Sequence, residues 1–82
     1  MDPRELEHKI ILQFKKEQVE YVHNLLHHDE ISEDDFDIRL QFILNAKDFS
    51  DIGYYITQIE GFDVKHPGMI ENYIHSLREK IN

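Results

Sequence analysis

Apolar positions recur with helical spacing in four separate stretches of the chain. In the first they are Leu6, Ile10, Phe14, Val22 and the pair Leu25/Leu26. In the second, Phe36, Leu40, Ile43 and Leu44 form a stripe at i, i+4, i+7 and i+8. Ile38 and Phe42 fall on the other side, so this helix is apolar on two faces. It is either central in its bundle or offers one face to a partner. The third stretch is short, with Ile52, Tyr55, Ile56 and Ile59 on one face. The fourth carries Ile70, Tyr73, Ile74, Leu77 and Ile81 at i, i+3, i+4, i+7 and i+11. Short loops, no repeats and no low-complexity linker predict one all-α domain over residues 1–82: a compact four-helix bundle with a short third helix.

Polar residues mark the helix ends. Asp2-Pro3-Arg4-Glu5 has the form of a capping box, with proline at the first helical position and Met1 and Leu6 spaced as a hydrophobic staple. The run KIILQF (9–14) is rich in β-branched residues, which leaves open an extended lead-in with the regular helix starting near Phe14 or Lys15. Ser32 precedes Asp35 by three residues, and Ile31 and Phe36 stand at staple positions. Ser50-Asp51 is expected to start the third helix, with Phe49 and Tyr54 as its staple, and Gly61 to end it in the left-handed region. Gly53 weakens that helix and lets a neighbouring backbone approach. Pro67 is expected to open the fourth helix.

Consecutive helical residues point about 100° apart, so Tyr54 and Tyr55 cannot both enter one core. Tyr55 joins the inner face of the third helix and Tyr54 points outward, one turn after Asp51. An outward tyrosine beside an acid either grips another protein or covers the edge of the core with its hydroxyl in water.

Charge sharpens this picture. The net charge is −8. Residues 29–63 hold ten acids against Arg39 and Lys47 alone, so the excess sits in one segment. Such a surface repels nucleic acid and attracts basic proteins, or simply keeps the protein in solution. Eighty-two residues bury a thin core, which leaves little room for a water-excluded catalytic cavity. No cysteine is present, so disulfides, zinc thiolates and thiol nucleophiles are excluded. No apolar run reaches membrane-spanning length and MDPRELEHK does not resemble a signal peptide, so a cytoplasmic protein without membrane contact is expected.

Candidate chemistry is sparse. Glu20, His23 and His27 form an ExxH pair with a further histidine one turn on, but a di-iron bundle needs two such pairs and two more glutamates. His27 and His28 suit the negative end of the helix dipole. DEISEDDFD lacks the glycine and the spacing of a calcium loop. Asp34 and Asp37, on a solvated helix end, have nothing to raise either pKa toward acid–base work. The expectation is a non-enzyme without metal or cofactor.

Taken in order, ELEHKI (5–10), EQVEYVHNLL with ISEDD, SDIGYY (50–55) and HPGMIENYIHSLREK (66–80) resemble the immunity proteins of nuclease colicins and pyocins over nearly the whole chain. The chain departs from that pattern at Ile56, where the family has proline, and at Leu77, where it has tryptophan. The resemblance implies a bacterial, non-catalytic inhibitor that binds and neutralises a DNase-type toxin, a monomer when free, with an extended segment before the first helix. It implies a shared anchor at Ser50, Asp51, Tyr54 and Tyr55, both rings reaching the partner, and variable contacts at Glu33, Asp34, Asp37 and Gln41. The competing expectation is a small acidic antitoxin or phage-type regulator of another basic nucleic-acid enzyme.

Overall fold

The computed structural model describes residues 2–61 and 68–81, and among these all regular structure is helical. Helix α1 (Pro3–His27) is followed by α2 (Glu33–Leu44), α3 (Phe49–Tyr54), a π-helical turn (Tyr55–Ile59) and α4 (Met69–Glu79). The all-α, four-helix expectation is met.

The first helix starts where its cap places it. The Asp2 side chain accepts a hydrogen bond from the Arg4 amide, and Pro3 occupies the first turn. There is no extended lead-in: residues 5–14 are helical, which corrects both the KIILQF reading and the implication of the resemblance. Ile10, Ile11 and Phe14 are buried together at helical spacing, and this tertiary burial outweighs the strand preference of the two β-branched isoleucines. Met1 lies outside the described residues, so the staple it was expected to make is not seen.

In α2, Ser32 caps the helix by accepting from the Asp35 amide. Ile43 is fully buried, and Phe36 packs against the core. Leu44, expected on the same stripe, is 53% exposed at the helix end. Ile38 and Phe42 are also exposed, so the second apolar face is presented to the surface rather than buried.

The third helix begins two residues earlier than expected. Asp48, not Ser50, is its cap and accepts from the Asp51 amide at 3.0 Å. Asp51 in turn accepts from the Lys47 amide at 2.8 Å, so two short acids clasp the turn from both sides. Phe49 is therefore the first helical residue rather than a staple residue. The helix then widens: Glu60 donates its amide to the Tyr55 carbonyl five residues back, and the Thr57 hydroxyl donates to the Gly53 carbonyl. Gly61, at φ +79°, ends the unit in the left-handed region as its sequence predicts. The Gly53 expectation is corrected. A Cβ there would meet a side-chain methyl of Ile70 at 3.6 Å, an ordinary contact, and not a neighbouring backbone.

Helix α4 follows Gly68, and Pro67 falls outside the described residues. Leu77 is fully buried, and Ile70, Tyr73, Ile74 and Ile81 are partly buried against the core. The core thus gathers Phe14 and Val22 from α1, Ile43 from α2, Ile52 from α3, Tyr55 from the π turn and Leu77 from α4. Among the described residues, no helix is long and apolar enough to cross a membrane.

Candidate functional site

The adjacent tyrosines part company at the core boundary. Tyr55 is wholly buried, its ring edge-on to Phe14 at 5.7 Å. Tyr54 is 52% exposed. Tyr55 therefore leaves the set of expected contacts. A ring at the centre of the core cannot touch a partner while the fold is intact, so the inward placement read from helical spacing holds and the two-ring anchor does not.

The surroundings of Tyr55 are polar on one side only. Burial, reinforced by the Glu60 charge, pushes its pKa up to about 12, while Arg39 pulls it down. The Arg39 guanidinium faces the Tyr55 hydroxyl, yet no hydrogen bond of normal geometry joins them. Glu60 is raised above its ordinary value by burial, with Arg39 partly offsetting this, and neither carboxylate oxygen has a partner among the described residues. Arg39 also approaches Asp35 at 3.9 Å, one turn before it on α2. Only the Tyr55 end of this cluster is fully buried; Arg39 and Glu60 are half-buried and Asp35 is exposed.

Outside, Tyr54 meets α2. Its ring and that of Phe42 lie 5.8 Å apart with their planes only 32° from parallel, and Phe42 is 41% exposed. At about 100° and 1.5 Å per residue, Ile38 stands about 40° round from Phe42 and one turn along α2, and Asp34 lies about 80° round and about 12 Å along the helix axis. Ser50 and Asp51 precede Tyr54 by four and three residues, which puts them beside its ring on α3. Ser50 is exposed and Asp51 half-buried. These residues form a ridge of two rings and an isoleucine, bordered by acids.

The remaining expected contacts divide. Glu33, Asp37 and Gln41 are exposed. Gln41 is about a quarter-turn from Phe42, whereas Glu33 and Asp37 lie about 140–180° away, on the opposite flank of α2. The fold therefore joins Ser50, Asp51 and Tyr54, leaves Gln41 and the more distant Asp34 at the margin, and separates Glu33 and Asp37. Phe42 and Ile38 were missing from the expected set. Their signal was the second apolar stripe on α2.

Elsewhere, a cavity of about 360 Å³ is lined by Gln18, Tyr21, Ile56, Glu60, Ile70 and Tyr73 among others, and none of the expected contacts borders it. Gln18 donates to the Tyr73 hydroxyl at 3.0 Å on its wall, and burial raises the Tyr73 pKa. Among the described residues, no three His, Asp or Glu side chains converge as metal ligands, so the Glu20–His23–His27 spacing does not assemble a site there. The chain matches no protein-family model, no curated protein and no solved structure.

Proposed function

We propose that this protein is a non-catalytic inhibitor that binds a basic nuclease toxin domain and neutralises it by blocking or repelling its nucleic acid. The observation that carries the docking half of this reading is the exposed Tyr54–Phe42 pair at the edge of the acid-rich α2. Exposed aromatic rings supply large, rigid contact area at low entropic cost, and such residues dominate interface energetics. The −8 charge, concentrated around the same elements, speeds encounter with a cationic surface. The nuclease as target is suggested by the resemblance of SDIGYY and the acid-rich start of the second helix to the immunity proteins. Tyr54 takes the anchoring role alone, since Tyr55 serves the core.

Calorimetric titration against bacteriocin-type DNase domains tests the reading. Tight one-to-one binding with loss of DNA cleavage is expected. Tyr54→Ala should weaken that binding by about 2 kcal/mol or more. Absence of binding, or an unchanged affinity in Tyr54→Ala, refutes the proposal.

A further inference from the structure

Within the reading that this face docks a basic protein, we infer that its central contact is an arginine side chain of the partner, laid on the Tyr54–Phe42 rings and hydrogen-bonded to Asp51. Three observations lead there. The rings are close, 5.8 Å apart and tilted by 32°, and both are exposed, so each presents aromatic surface to a partner. Among the described residues, no lysine or arginine of this chain stacks on either of them. And Asp51, one turn before Tyr54, is oriented by its own backbone bonds. Its Oδ2 accepts from the Lys47 amide, which leaves Oδ1 as a further acceptor on the residue one turn before Tyr54.

Planarity decides between the two basic side chains. A guanidinium is flat and weakly hydrated, stacks on aromatic faces, and keeps its N–H donors in the ring plane, free to reach a carboxylate at the edge. An ammonium is compact and strongly hydrated, and it has no flat face to stack on a ring. Ile38, one turn along α2 and 50% exposed, extends the apolar surface, so a residue flanking the arginine in the partner meets an apolar position.

The test uses the intact protein and two probes, hexa-arginine and hexa-lysine, titrated at equal ionic strength with NMR signals of the Tyr54 and Phe42 rings as the readout. Hexa-arginine should bind at least about fivefold more tightly than hexa-lysine and move both ring signals. In Tyr54→Leu, whose exposed position leaves the melting temperature unchanged, the preference should fall to about one while weak binding of hexa-lysine persists. Asp51→Asn, which keeps the oxygen that accepts from Lys47, should reduce the preference severalfold. Equal binding of the two peptides, ring signals that hexa-arginine leaves unmoved, or a preference that survives Tyr54→Leu overturns the inference. A nuclease domain that binds tightly while any of these holds leaves the inhibitor reading standing and removes only the arginine. A preserved peptide preference with no nuclease binding does the reverse.

Discussion

Tyr54 and Tyr55 are neighbours in sequence and opposites in energetics. The first spends half its surface on solvent, so its loss should leave the fold unharmed and act on binding alone. The second is a core residue, and Tyr55→Ala should cost about 3–5 kcal/mol in denaturant unfolding. Tyr55→Phe discriminates further. The hydroxyl is buried without a hydrogen-bond partner among the described residues, so removing it should change stability by less than about 1 kcal/mol. The pH dependence follows from the raised pKa. Above pH 10 the unfolded chain ionises while native Tyr55, at about 12, stays protonated, so wild-type stability is lost progressively between those values. Tyr55→Phe should lack that component. A variant whose alkaline melting curve tracks wild type would show that Tyr55 is not the group responsible.

At the scale of the element, α3 is a six-residue helix held by end contacts rather than by length. Asp48→Ala removes the cap and should destabilise the protein by about 1 kcal/mol, and it should also weaken partner binding, because the same turn orients Asp51. Gly53→Ala should do the opposite to stability. The glycine has no positive φ and faces only an ordinary contact with Ile70, so alanine gains about 0.5–1 kcal/mol of helix preference. A fall in melting temperature for Gly53→Ala would mean that the packing of α3 on α4 is tighter than 3.6 Å implies. The same short helix shows why boundaries were the weaker part of the sequence reading. Asp48, Ser50 and Asp51 are all competent caps, and local chemistry does not choose among them. The choice falls to Asp48 because its cap brings Ile52 and Tyr55 into the core together.

Over the whole molecule, charge has two separate effects. The half-buried Glu60 is disfavoured as an anion, so the native state binds its proton more tightly than the unfolded chain does. Stability should therefore fall as pH rises from the ordinary glutamate range through the higher native value and then level off. Glu60→Gln should be more stable than wild type at neutral pH, and the two should converge at pH 3; a variant less stable at neutral pH would show that the carboxylate is satisfied after all. The surface acids act at longer range. Raising salt from 0.05 to 0.5 M, about a threefold contraction of the screening length, should slow association with a nuclease domain far more than it speeds dissociation. A stopped-flow on-rate indifferent to salt would leave the acids a solubility role alone.

Four helices, their caps at Asp2 and Ser32, the outward Tyr54 and the inward Tyr55 were all legible in the chain, because each is set by local chemistry or by a 3.6-residue period. The fold alone decided that KIILQF is helical, that Ile38 and Phe42 face solvent rather than a central core, and that Phe42 meets Tyr54 while Glu33 and Asp37 do not. Periodicity fixes the angle of a side chain about its own helix axis. Which neighbour stands at that angle depends on how the helices pack, and that is a property of the folded chain as a whole.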